Sequence, residues 1–195
     1  MQRETITPDR LIAFSDGVFA VIVTVMVLEL KAPNQPEFVA LWSLWPTGLS
    51  YALSYLFVAI IWVNHHHLMR FVNHLTPALT WINFTHLFLV SFLPFATAWI
   101  ARTEFASSPV VLYAGLFVVV DLAYNVFEHL VLSCADIRRV SAAMRRRARK
   151  RSLLVLAGFT TSMLVSLWPP GLGFGLICAT LIPHLQPGAD PFTNR

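Results

Sequence analysis

Six ionisable side chains interrupt apolar stretches long enough to cross a bilayer: Asp16, His86, Asp121, Glu128 and His129, with Glu29 near the end of one stretch. A charge at mid-bilayer costs at least about 2.5–3.5 kcal/mol, so such groups face protein or water and find partners there. Asp121, Asn125, Glu128 and His129 follow an i, i+4, i+7, i+8 pattern and share one face of a helix. That face is either a polar seam against a neighbouring helix or a proton relay, with Asn83 and His86 as candidate partners. Asn64, His65, His66 and His67, with His74 close behind, suggest a metal. Three consecutive histidines point about 100° apart on a helix, however, and cannot share one ion. A membrane di-iron enzyme needs several separated histidine boxes, and only one is present. A haem would need His86 and His129 on facing helices. The remaining reading is a hydrogen-bonded histidine cluster at the inner mouth, part of it titrating near neutral pH. No Ser/His/Asp set, P-loop, dinucleotide fingerprint or TVGYG-type filter occurs. The glycines from Gly171 to Gly175 read as a close helix contact.

The elements that must hold these groups are membrane helices. Of 195 residues, 56% are hydrophobic and 12% charged, with a mean hydropathy of +0.64. A typical soluble domain carries about 25% charged residues, so this chain cannot coat a water-facing surface. Cytosolic enzymes, disordered tails and secreted disulfide scaffolds are excluded, and the two cysteines, Cys134 and Cys178, read as small apolar side chains. The fold class is all-α and polytopic. Apolar runs and breakers predict six spans at about 11–30, 46–63, 77–100, 109–134, 153–168 and 171–186, forming one transmembrane domain. A basic cytoplasmic loop is expected over about 136–152 and a disordered tail after it ends the sixth span. Span one is too long and lacks the cleavage pattern of a signal peptide. Pro46, Pro94 and Pro183 start or kink helices.

Orientation follows from lysine and arginine. With the 136–152 segment inside and six spans, both termini are cytoplasmic. Twelve basic residues then fall inside, and only Lys31 and Arg102 outside. Trp42, Trp45, Trp99 and Trp168 form an outer aromatic belt. The basic run from Arg145 to Arg151 therefore faces anionic lipid, not nucleic acid.

Span one is unusual. Phe14, Gly17, Val18, Val21, Thr24, Val25 and Leu28 share a face, while Asp16 lies roughly opposite with Ala20, Val23 and Val27. One reading makes this an ordinary packed helix, with Asp16 paired to Arg10 or a nearby histidine. The other has Asp16 pin the helix to its own bundle, so that the apolar-plus-threonine face turns toward a symmetry axis.

The segment Arg10-Leu-Ile-Ala-Phe14-Ser15-Asp16 matches the RxxxFSD signature that opens the first helix of the transmembrane-protein-175 potassium channels. GVFAVIVTVMVLEL, WVNHHHL and SFLPFATA also resemble that family, so the similarity runs through the first three spans. The resemblance implies a homotetramer of six-helix subunits whose first helices line the pore. It implies a constriction at Val21, a hydroxyl layer at Thr24 and further apolar rings at Val25 and Leu28. Arg10, Phe14, Ser15 and Asp16 would join Trp62, Asn64 and His67 in a network behind the pore. The expected function is a potassium-selective passive channel of the inner membrane, gated by hydrophobic constriction instead of carbonyl coordination. No enzyme activity, cofactor, resident metal, nucleic acid or soluble substrate is expected; K+ permeates. Glu29, at the outer end, is expected to attract cations. The alternative is a proton-coupled transporter using Asp121, Glu128 and His129, and a membrane haem or metal enzyme is the third reading.

Overall fold

Thr7 and Pro8 set the start of the first helix in the computed structural model, which describes residues 7–135 and 140–185. The Thr7 hydroxyl accepts from the Arg10 N–H, and Pro8 supplies the preset backbone angle of a first helical position. This helix, α1, runs Pro8–Leu28. An exposed polar stretch and a short 3-10 helix, Phe38–Leu44, lead into α2, Trp45–Met69. Then follow α3 (Pro77–Val90), α4 (Leu93–Arg102), α5 (Ser107–Cys134), α6 (Ala142–Val165) and α7 (Pro170–Leu181). All regular elements among the described residues are helical. The expected tail over 186–195 lies outside the described residues.

Among the described residues, four segments are long and apolar enough to cross a membrane: Pro8–Leu28, Phe38–Met69, Pro77–Arg102 and Ser107–Cys134. The third is broken. Pro94 has no N–H to donate, the ladder stops at Val90, and the chain restarts as α4 two residues later. The basic stretch expected as a loop is instead helix from Ala142 onward. Alanine, methionine, arginine and lysine are strong helix formers, and the Ser141 hydroxyl caps the first turn by accepting from the Met144 N–H at 3.2 Å. α6 is thus basic in its first turns and apolar from Leu153 on. α7 has only 12 residues and folds back on α6. There Gly173 lies against the Ser166 backbone, where an added Cβ would fall 2.7 Å from the Ser166 Cα. That is a close small-residue helix contact; of the three glycines read that way from sequence, Gly171 and Gly175 instead face open space.

Lipid tails are as apolar as leucine, so helices in a bilayer are held by close packing and by hydrogen bonds, not by water exclusion. Both are present. Phe57 of α2 stacks on Phe117 of α5 with ring centroids 3.6 Å apart, and Phe159 of α6 meets both edge-on. One directed hydroxyl chain crosses the bundle. Thr97 donates to the Leu93 carbonyl at 2.7 Å, so it must accept from Ser54 (2.6 Å), and Ser54 must accept from the Tyr113 hydroxyl (2.7 Å). All three side chains are buried. The chain ties α5, α2 and α4 together.

Candidate functional site

One side of α1 is buried: Leu11, Ser15, Phe19, Ile22 and Met26, spaced at fours and a three. These pack on α2, α3 and α4. The opposite side has no cover within the subunit. Phe14 is 53% exposed, Val21 61%, Val25 41% and Leu28 72%, and Gly17 and Thr24 are exposed with them. Val18, placed on this face by the helical wheel, is instead half-buried and packs against the core. Ala13, Ala20 and Val27 extend the open arc beyond the predicted stripe. The Thr24 hydroxyl donates to the Ala20 carbonyl at 2.9 Å, which leaves its oxygen lone pairs facing outward.

What fixes this rotation is a second directed chain. Asn83 of α3 donates through its amide nitrogen to Ser15 Oγ at 3.1 Å, and Ser15 donates to the Leu11 carbonyl at 2.9 Å. The Asn83 carbonyl oxygen is therefore left to accept, and His65 Nε2 donates to it at 2.7 Å. Ser15, Asn83 and His65 have no exposed surface. Three helices are joined at one point, directly behind the open stripe. His65 also stacks on Phe127 of α5 and faces His86 across 6.4 Å.

The expected network partners are distributed differently. Asp16 sits at the margin between the buried and open sides and accepts from Trp62 Nε1 at 2.8 Å. Arg10 lies exposed in the first turn. Phe14 leaves the network and meets Phe84 edge-on. Asn64 points the other way and accepts from Arg151 of α6 at 3.1 Å. His67 is half-buried one turn nearer the helix end, beside His66. The residue of this histidine run that reaches Ser15 is His65, through Asn83. A signal for it was present: Phe57, Ile61, His65 and Leu68 form the buried stripe of α2.

The α5 polar seam splits in two. Asp121 accepts from Asn125 of its own helix at 3.0 Å, and Glu128 accepts from Ser152 of α6 at 2.7 Å. Both line a cavity of about 40 Å³ with Asn64 and Arg151, room for a few waters. His129 turns out of it into an open groove on the outside of the bundle. Glu128 also reaches the floor of that groove, so of the two carboxylates only Asp121 is kept apart from the imidazole. Among the described residues no group of three His, Cys, Asp or Glu could hold a metal. His86 is fully buried beside His65 and Tyr124, far from the exposed His129, so the two do not face each other as a haem pair. At the C-terminal end of α1, just past the open stripe, Glu29 pairs with Arg102 of α4 at 2.7 Å. Its charge is therefore met by a partner in the same subunit.

Residues 10–94 match the sequence model of a family described as endosomal/lysosomal potassium channel TMEM175. A potassium channel of Chryseobacterium sp. (strain P1-3) is 41% identical over 128 residues, which is 66% of this chain and 67% of that protein. A potassium channel of Chamaesiphon minutus is 34% identical over 82% of this chain and 85% of its own length. The crystal structure of a lysosomal potassium-selective channel TMEM175 homolog from Chamaesiphon minutus superposes with a TM-score of 0.78 at 29% identity. It covers 91% of this chain and 95% of that one. The chain is a multi-pass membrane protein, and it belongs to the TMEM175 potassium channel family.

Proposed function

We propose that the chain is a passive, potassium-selective channel of the inner membrane, assembled as a homotetramer with cytoplasmic termini. The observation that carries this reading is the uncovered stripe of α1, apolar with one hydroxyl, on a helix whose other side is locked by Ser15, Asn83 and His65. Four copies around an axis turn Val21, Val25 and Leu28 into apolar rings and Thr24 into a hydroxyl ring. The open arc at Ala20 and Val27 then meets the neighbouring subunit. The potassium-channel names of the relatives support the choice of ion.

The mechanism follows from the ring at Val21. A narrow apolar ring dewets, and an ion passes only by shedding or rearranging its water. K+ is larger and more weakly hydrated than Na+, so it loses less. Thr24, one turn away, offers hydroxyl oxygens to the partly stripped ion. No cofactor takes part, and the reading is one of transport, not catalysis. A proton-coupled transporter is not favoured, because Asp121 is bonded within its own helix, Glu128 is buried and bonded to Ser152, and Asp121 and His129 line different spaces.

Proteoliposomes loaded with K+ should show K+ efflux on addition of an ionophore for the counter-ion, and the purified protein should have the mass of four chains. Tetramers without flux, or flux from a monomer, would contradict the reading. At the outer end the pair of Glu29 and Arg102 gives a signed prediction. Glu29→Gln leaves the Arg102 charge uncompensated, so single-channel K+ conductance should fall at low salt. Arg102→Gln should raise it. Both effects should vanish at 1 M salt, where the screening length is about 3 Å. Conductance independent of both charges at low salt would remove this pair from the ion's route.

A further inference from the structure

We propose that the groove between the end of α5 and the first turns of α6 binds the phosphodiester headgroup of one anionic phospholipid, whose acyl chains lie along Val126 and Leu153. The groove has a volume of about 520 Å³ and is lined at one end by Arg145, Arg146 and Arg149, and at the other by Val126 and Leu153. His129 and Asn125 lie between, and Glu128 reaches its floor, where it is buried and bonded to Ser152.

The arginines differ in role. Arg145 donates to the Leu132 and Ala135 carbonyls, so it caps the C-terminal end of α5 and offsets the negative end of that helix. Arg146 and Arg149 are exposed, and among the described residues neither has a carboxylate partner. Arg146, Arg149 and Leu153 follow one another at i, i+3 and i+7, on one helix face. That face passes from two cations to an apolar side chain within about 11 Å. A phospholipid passes from phosphate to hydrocarbon within that distance, since the polar interface of one leaflet is about 5–8 Å thick. The groove's apolar end is formed by Val126 and Leu153, both exposed, and Leu122 of α5 and Leu154 of α6 are exposed apolar side chains on the same two helices, a surface suited to acyl chains. Charge complementarity and this continuity single out a membrane lipid over a soluble anion, and the basic excess of this side of the protein places it at the anionic leaflet.

The test needs no ion flux, so it stands apart from the channel reading. The full chain in detergent is titrated with dioctanoyl phosphatidylglycerol, dioctanoyl phosphatidylcholine, inorganic phosphate and a short DNA duplex, and bound ligand is counted per chain. Phosphatidylglycerol should saturate at one per chain and bind at least tenfold tighter than phosphatidylcholine or phosphate. Arg146→Gln with Arg149→Gln should weaken it about twentyfold, near fivefold for each charge. Arg147→Gln with Lys150→Gln removes the same charge outside the groove and should change it less than threefold. Leu153→Asn should weaken phosphatidylglycerol but not phosphate. Equal losses in the two double variants, phosphate binding as tight as the lipid, or tighter binding of the duplex would each overturn the proposal.

Discussion

Val21→Asn should open the channel to Na+, lowering the K+/Na+ permeability ratio about tenfold while total cation flux rises. Val21 is the most exposed apolar side chain in the middle of the α1 stripe, with Phe14 a full two turns below and Leu28 two turns above. In a ring of four, valine methyl groups give water nothing to bond, and a permeating ion meets the cost of partial dehydration there. Asparagine amides hydrate the ring. Na+, which holds its water more strongly, gains more from this than K+. A tenfold change in the ratio corresponds to a difference of about 1.4 kcal/mol between the two ions' barriers, modest beside ionic hydration energies. Reversal potentials under bi-ionic conditions read the ratio directly. An unchanged ratio in a normally assembled variant would remove Val21 from the selectivity step.

Asn83→Leu should be the most damaging single change to the fold, lowering stability by about 2–4 kcal/mol. The variant removes two interhelical hydrogen bonds, each worth about 0.6–2 kcal/mol in a membrane bundle. It also leaves the buried His65 N–H without an acceptor, which costs about 1–3 kcal/mol, partly overlapping the first figure. Ser15→Ala should cost less, about 1 kcal/mol, because His65 keeps its partner. The effects should not add: Asn83→Leu with His65→Leu should be milder than the sum of the two, since each single variant strands the other's polar atom. Reversible unfolding in mixed micelles measures all of these. A loss below 0.5 kcal/mol for Asn83→Leu, or strict additivity, would mean that packing alone orients α1.

The first helix was legible in the sequence because a 3.6-residue period separates its faces whatever surrounds it. The stripe from Phe14 to Leu28 is open except at Val18, but the face expected opposite it is not the buried one: Ala20 and Val27 are exposed, Asp16 and Val23 are half-buried, and Leu11, Ser15, Phe19, Ile22 and Met26 form the packed side. The partners behind it were less legible. Consecutive residues on a helix diverge by about 100°, so Asn64 and His65 serve different neighbours, α6 and α3. The resemblance pointed to Asn64 and His67 as network partners, and neither motif nor spacing singled out His65 as the one that turns inward to Asn83. Asp16 shows what each kind of reading supplies: periodicity placed it off the stripe, and the family resemblance put it in one network with Trp62, 46 residues away, which donates to it. The basic run was read as a loop because charge marks the membrane surface. Its helix propensity and the Ser141 cap decide the local conformation independently of that location. The break before Pro94 and the contact at Gly173 followed from local chemistry and needed no tertiary information.

The central claim is that the open stripe of α1 faces a water-filled axis shared between subunits. Single cysteines introduced into a chain freed of Cys134 and Cys178 test it directly, with Ag+ block of K+ flux as the readout. Val21→Cys, Thr24→Cys and Leu28→Cys should each be blocked, and Val21→Cys should also form disulfides between chains under oxidation. Phe19→Cys and Ile22→Cys, on the buried face, should be insensitive. Block at the buried positions with none along the stripe would contradict the account.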